Sequence, residues 1–362
     1  GKIYLVRKRH TKEYYGMKIL DKLEMKQRKK IKRVMTEREI LATADHPFIV
    51  TLHWSFQSSS KIYFVMDYCA GAAFFRTLQL QPNHRLPESS ARFYAAEVLL
   101  ALEYLHMMGF IYRDLKPENI LLHESGHLML TDFDLSKTSA LPVTPKLVQQ
   151  FMEGPAIKAM PSTLTNSFVG TEEYIAPEII QGYGHTASVD WWTFGILMYE
   201  LLFGCTPFRG SSCQQTFQNV LHKELKFPHT VEISKDCKDF VRKLLRTDPK
   251  KRLGSNNGAS DLKGHAFFKN VNWALIRNET PPIIPTLNGP LDMRYFKTYD
   301  QSVSGIPPDV RDTSSEEEDD DENIPSLPKS KSGDIGVEAS DLPDKDPFKK
   351  FESLSNPTRN GY

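Results

Sequence analysis

The chain has 362 residues, 40% of them apolar and 25% charged, which is enough for one large or two fused globular domains with a real core and excludes a small disulfide-stapled scaffold. Its four cysteines (Cys69, Cys205, Cys213, Cys237) sit at no metal-ligand spacing and are too few for a disulfide framework, which points to a reducing compartment. The net charge of +1 conceals a basic start, with 14 Lys/Arg against 4 Asp/Glu in residues 1–38, and an acidic end, with 7 against 15 in residues 309–362, so the body between them is neutral.

Up to about residue 70 the pattern is strand-like at residues 2–6 and 13–20, helical and basic through Leu41, and strand-like again at residues 61–66, which predicts a small sheet with one helix. The basic cluster at residues 26–33 reads as a solvated helix face, and no nucleic acid is expected as a partner. From residue 89 to 108 apolar side chains recur at helical spacing (Phe93, Ala96, Val98, Leu99, Leu102, Leu105), and residues 189–203 predict a helix buried on most sides. This second part is mainly helical. The longest apolar stretch, residues 194–205, is short and carries Glu200, and the first residues are basic, so neither a transmembrane helix nor a signal peptide is expected and the protein reads as soluble and cytoplasmic. Pro281, Pro282 and Pro285 mark an extended segment, after which low apolar content and the acidic run 316–322 predict disorder over residues 305–345.

The stretch richest in chemistry is Tyr112-Arg-Asp-Leu-Lys-Pro-Glu-Asn119, followed by Asp132-Phe-Asp134 and Ala176-Pro-Glu178. A lone acidic–aromatic triplet carries no information, but the three in this order resemble the catalytic loop, metal-binding motif and activation-segment terminator of the protein kinases. The resemblance covers residues 1 to about 285 and implies an α+β, two-lobed kinase fold. A small strand-rich lobe would take residues 1–70, a large helical lobe 71–268 with an insertion at 136–166, and a C-terminal tail 269–362.

Phosphoryl transfer needs mainly positioning and charge neutralisation, so each expected charge should have an occupant. By resemblance, Asp114 orients the substrate hydroxyl and accepts its proton, Lys116 contacts the transferring phosphate, and Asn119 and Asp132 hold Mg2+. Lys18 would meet the ATP phosphates, with Glu37 orienting it. Gly1, Ile3, the gatekeeper Met66, and Asp67 and Cys69 of the hinge would border the nucleotide, so ATP and Mg2+ are the implied cofactors. Taken singly, Lys18 reads as a solvated strand end, Glu37 as a helix-surface charge and Met66 as core. Asp190 would anchor the catalytic-loop backbone from the buried helix, and Arg252 would pair with Glu178.

Tyr112 in place of histidine before Arg113-Asp114, and the segment Gly170-Thr-Glu-Glu-Tyr-Ile-Ala-Pro-Glu178, resemble the AGC serine/threonine kinases. Asp134 in place of the usual glycine, together with the insertion, is similar to the plant phototropin-type kinases and the fungal flippase kinases. Trp273-Ala-Leu-Ile-Arg and Pro281-Pro-Ile-Ile-Pro285 favour the fungal group. Aspartate can visit the left-handed conformations that glycine permits, so Asp134 is compatible with activity. Ser167 falls at the AGC activation-segment phosphosite, where an upstream kinase would act and Arg113 would meet the phosphate. Asp346-Pro-Phe-Lys-Lys-Phe-Glu352 resembles the AGC hydrophobic motif, whose Phe348 and Phe351 would dock on the small lobe. Glu118 and Glu200 match carboxylates that meet a substrate arginine two residues upstream of the acceptor.

Two departures from the family pattern stand out. Cys69-Ala-Gly-Ala-Ala73-Phe-Phe lacks the acidic residue that follows the hinge in the family, which weakens a ribose contact and a contact to upstream arginines. The chain also opens on what resembles the last glycine of the Gly-rich loop, so a fragment without the first strand, slow in turnover, is expected. The resemblance implies a monomeric serine/threonine kinase of protein substrates, peripheral at a membrane, in flippase or polarity pathways. The alternative is a pseudokinase or impaired fragment acting as a binding scaffold, against which the retention of Lys18, Glu37, Asp114, Asn119 and Asp132 argues.

Overall fold

The computed structural model of the chain describes residues 2–139, 143, 146–150, 154–158, 160–161, 170–296, 347–348, 351 and 354–355. Gly1, Ser167 and the stretch 305–345 lie outside the described residues.

Strands β1 (Lys2–Arg7) and β2 (Tyr14–Asp21) pair antiparallel, with Ile3 opposite Lys18. Asp21 ends β2 and starts α1 (Lys22–Gln27), its Oδ1 accepting the Glu24 N–H at 3.0 Å. The basic run expected as one helix is two, because Lys29 takes a left-handed φ of 55° and interrupts it before α2 (Ile31–Thr43). Strand β3 (Leu52–Gln57) then pairs with β4 (Lys61–Asp67). The apolar pattern does not announce β3: His53 and Ser55 are buried while Phe56 is exposed, and the register shifts between Leu52 and Trp54. One face of the sheet packs Leu20, Ile62, Phe64 and Met66 against Val34, Ile40 and Leu41 of α2. The other carries a second cluster of Tyr15, Met17, Ile19, Tyr63 and Val65.

Helices α3 (Phe74–Leu80) and α4 (Glu88–Met107) lead to short strands β5 (Phe110–Ile111), β6 (Ile120–Leu122), β7 (Leu128–Leu130) and β8 (Lys137–Thr138). Within the expected insertion, β9 (Lys146–Gln150) and β10 (Gly154–Lys158) form an antiparallel pair that the sequence did not suggest. The rest is helical: α5 (Pro177–Gln181), α6 (Ser188–Phe203), α7 (Cys213–His222), α8 (Lys235–Leu244) and α9 (Ala259–Lys263). Helix α6 is buried on nearly all sides, with Trp191 and Trp192 fully enclosed. Gly195 in its middle is required by close approach, since a Cβ there would lie 2.8 Å from Leu245 Cδ2 beside α8. Finally β11 (Leu354–Ser355) pairs with β3 and completes a five-stranded sheet of order β1-β2-β4-β3-β11.

The strand-rich and helical parts are stitched by backbone. Val50 N donates to Leu130 O at 3.0 Å, Leu130 N to Phe48 O at 2.8 Å, and Gly71 N to Leu122 O at 3.0 Å, which holds β6 and β7 beneath the sheet. Among the described residues no helix is long and apolar enough to cross a membrane.

Candidate active site

Three elements converge where the two parts meet. Lys18 on β2 donates from Nζ to Glu37 Oε1 of α2 at 2.7 Å and to Asp132 Oδ1 at 3.3 Å. Burial by itself would lower the Lys18 ammonium, but the Glu37 and Asp132 carboxylates outweigh it and hold the group above the ordinary lysine range. Burial lifts Glu37 above the usual carboxylate value even with Lys18 beside it. Burial acts the same way on Asp132, yet Lys18 more than offsets it and that carboxyl sits below its ordinary value.

The loop after β5 is pinned from below. Asp190 of α6, with no exposure at all, accepts the Tyr112 N–H through Oδ2 at 2.9 Å and the Arg113 N–H through Oδ1 at 2.7 Å, while His106 Nε2 lies 2.7 Å from Oδ2. These contacts hold Arg113 at φ 66°, and Asp132 is left-handed too, at φ 59°. Such conformations cost roughly 1–3 kcal/mol each and persist only where the surroundings over-determine them. The left-handed residue of the Asp132-Phe-Asp134 motif is therefore Asp132, and Asp134 does not use the conformational freedom that glycine would have at its place. The Asp134 side chain instead turns to the start of α2, where Oδ2 accepts from Lys30 Nζ at 3.0 Å.

Asp114 stands at the mouth of this loop. Lys116 Nζ donates to both its carboxylate oxygens (3.1 and 3.0 Å), and Asn119 Nδ2 donates to its Oδ2 at 2.7 Å and its backbone oxygen at 2.9 Å. Burial pushes the Asp114 carboxyl up, against the opposing pull of Lys116 and Asn119. Thr171 Oγ1 accepts from Lys116 Nζ at 2.8 Å and lies 3.4 Å from Asp114 Oδ1. Sequence reading assigned Thr171 no role; its place in Gly170-Thr-Glu-Glu-Tyr was the available signal. The Asn119 amide nitrogen is engaged by Asp114, so oxygen is the donor it can offer a cation, and Asp132, 43% exposed in its side chain, offers carboxylate oxygen. Among the described residues no three His, Cys, Asp or Glu side chains gather as a metal cluster.

Around this centre the remaining candidates divide. Met66 and Cys69 are buried, with the Cys69 thiol 3.7 Å from Met129 Sδ and pushed up by burial. The Asp67 carboxylate is turned toward β3, accepting the Thr51 N–H at 2.8 Å and lying 2.7 Å from His53 Nε2. Ile3, paired with Lys18 and on the same face, is 70% exposed above the cleft. Glu200 accepts from the Tyr174 hydroxyl, and burial, with Glu118 and Glu173 nearby, raises its carboxyl. Glu118 is exposed. The structure thus brings Glu118 and Glu200 into one acidic patch.

Phe348 and Phe351 are both buried on the strand-rich part. Phe351 meets Phe64 edge-on at 5.7 Å and lies beneath the Arg38 guanidinium of α2 at 5.0 Å. Gln57 Nε2 donates to the backbone oxygens of Phe348 (3.3 Å) and Phe351 (2.8 Å).

The family model described as "Protein kinase domain" matches residues 1–268. The chain is 57% identical over 291 residues to flippase kinase 1 of Saccharomyces cerevisiae, covering 80% of this chain and 32% of that protein. It is 52% identical over 316 residues to serine/threonine-protein kinase nrc-2 of Neurospora crassa (84% and 51% covered), and 51% identical over 314 residues to phototropin-1A of Oryza sativa (84% and 33% covered). The chain therefore spans about a third to a half of the length of these relatives. With three-quarters of its length matched and the α+β architecture in place, the chain belongs to the protein kinase domain family.

Proposed function

We propose that the cleft transfers the terminal phosphoryl group of ATP to serine or threonine hydroxyls of protein substrates. The observation that carries this reading is the Asp114 carboxylate, held by Lys116 and Asn119, touched by Thr171, and facing the same centre as Lys18, Glu37 and Asp132. In the reaction the substrate oxygen bonds to phosphorus, the bond from phosphorus to the ADP oxygen breaks, and the hydroxyl proton passes to Asp114. Burial keeps Asp114 more basic than a free aspartate. Lys116, bonded to that carboxylate, sets a positive charge beside the path of the transferring group. Lys18, oriented by Glu37, meets the nucleotide phosphates. Asn119 and Asp132 present hard oxygen donors that suit Mg2+, which neutralises phosphate charge when bound.

The same reading gives the rest of the chain its parts: a small lobe over residues 1–70, a large lobe over 71–268, and a tail whose Phe348 and Phe351 brace the Glu37 helix. Met66, Asp67, Cys69 and Ile3 border the nucleotide, and by resemblance Gly1, outside the described residues, is assigned to the same role. The acidic patch of Glu118 and Glu200 receives an arginine two residues upstream of the acceptor, and Ala73 leaves the position three upstream weakly read. Ser167 takes phosphate from an upstream kinase. The name of flippase kinase 1 supports a place in flippase regulation, with polarity pathways as the other setting of this reading; a cytoplasmic monomer, peripheral at a membrane, completes the reading as a proposal of its own.

The test is phosphate transfer from radiolabelled ATP with Mg2+ to serine peptides with and without arginine at the −2 position. Wild-type chain labels the arginine peptide preferentially, and D114N lowers kcat by about 100-fold or more. Equal labelling by D114N would refute Asp114 as the base.

A further inference from the structure

Asp134 stands two residues after Asp132, and its carboxylate bridges two cations at the start of α2: Lys30 Nζ at 3.0 Å and Arg33 Nη1 at 3.6 Å. That end of α2 has no side-chain cap and no acidic residue in its first turn. Asp134 therefore brings to the helix start the negative charge that its own sequence lacks, where the dipole and two flanking cations favour it. One turn beyond Arg33 stands Glu37, whose carboxylate holds Lys18, and Lys18 also donates to Asp132. The chain of contacts closes on itself: Asp132 to Lys18, Lys18 to Glu37, along α2 to Lys30 and Arg33, and back to Asp134.

We infer that Asp134 is a positioning residue, which fixes α2 and so Glu37 relative to the segment that carries Asp132. Helix α2 packs on the sheet through Val34, Ile40 and Leu41, and reaches the segment of Asp132 through Glu37 and Lys18. Asp134 supplies a second attachment near the helix start, about one and a half turns away, and both attachments reach the same short segment. Whatever displaces Asp132 then releases both, so the orientation of Lys18 and the placing of Asp132 change together. The three side chains are partly exposed (32%, 23% and 42% for Lys30, Asp134 and Arg33), so the device biases a helix position rather than holding the fold together. The inference rests on reading the cleft as a phosphoryl-transfer site, and its test has one arm that needs no catalysis.

In that arm, hydrogen exchange of residues 31–43 is followed in the nucleotide-free chain for wild type, D134N, K30Q/R33Q, the three changes combined, and D114N. Exchange quickens about five-fold in the first two variants and no further in the triple, while D114N matches wild type. In the kinetic arm, D134N and K30Q/R33Q each lower kcat about five-fold with the KM for peptide unchanged, D134E restores most of the rate, and the Mg2+ concentration for half-maximal rate stays at the wild-type value. Additive losses in the triple variant, unchanged exchange in α2, or a shifted Mg2+ requirement in D134N would each overturn the inference. If wild type shows no phosphoryl transfer at all, the proposed reaction fails while the exchange arm still decides on the attachment.

Discussion

Asp190 holds Arg113 by a 2.7 Å bond from the Arg113 backbone N–H to Oδ1, and Arg113 takes a left-handed φ of 66°. The buried carboxylate thus sets the backbone that carries Asp114, one residue on. Removing it in D190A strands the N–H groups of Tyr112 and Arg113 in the interior, at about 1–3 kcal/mol for each unsatisfied donor. The expected outcome is a melting temperature lower by several degrees and a kcat reduced at least ten-fold, with the KM for ATP little changed. Thermal melts paired with steady-state kinetics check it.

Arg252 forks onto Glu178, Nη1 to Oε1 at 2.6 Å and Nη2 to Oε2 at 2.8 Å, with both side chains almost wholly enclosed. Breaking a buried pair from one side leaves an uncompensated charge, so E178A or R252A should cost about 3–5 kcal/mol in urea unfolding. Replacing both residues with apolar side chains of similar volume should cost less than either single change. A double variant as unstable as the sum of the singles would refute the pairing argument.

The pH dependence of the reaction follows from Asp114. Its carboxyl is raised by burial and held down by Lys116, and it must be ionised to take the hydroxyl proton. Activity should therefore fall as pH drops through a value above the ordinary aspartate range. K116M removes the opposing positive charge, so the acid limb of kcat/KM should move to higher pH. A limb that stays put or moves down would exclude Asp114 as the titrating group.

The tail couples to α2 through packing. Phe351 lies against Phe64 and Arg38, the residue next to Glu37. Each aromatic burial contributes about 1.5–3 kcal/mol, so F348A/F351A should detach the tail and lower kcat several-fold without touching a group in the reaction. Q57A, which removes the amide that donates to both tail carbonyls, should reproduce a smaller part of the loss. Added peptide carrying residues 346–352 should rescue F348A/F351A but not a variant of the docking surface such as F64A.

What is local along the chain can be read from the residues themselves. Asp114, Lys116 and Asn119 lie within a single run of eight residues and Asp132 in a three-residue motif, so their order along the chain carries the resemblance, and the apolar run through Trp191 and Trp192 marks a buried helix by its own pattern. Lys18 and Glu37 become legible only once that run of eight is recognised, because a lone lysine or glutamate on a strand or helix has no local mark. Tertiary structure alone decided which groups meet across long stretches of chain: Thr171 with Lys116, Asp134 with Lys30, Gln57 with the tail carbonyls, and His53 with Asp67. Strand β3 escaped for a related reason, since beside the buried Leu52 its buried side chains His53 and Ser55 are polar while Phe56 is exposed, which breaks the alternation that marks a half-buried strand. Apolar periodicity reports how an element buries one face, whereas hydrogen-bond partners and left-handed residues such as Asp132 are chosen by the packing that surrounds them once the elements have met.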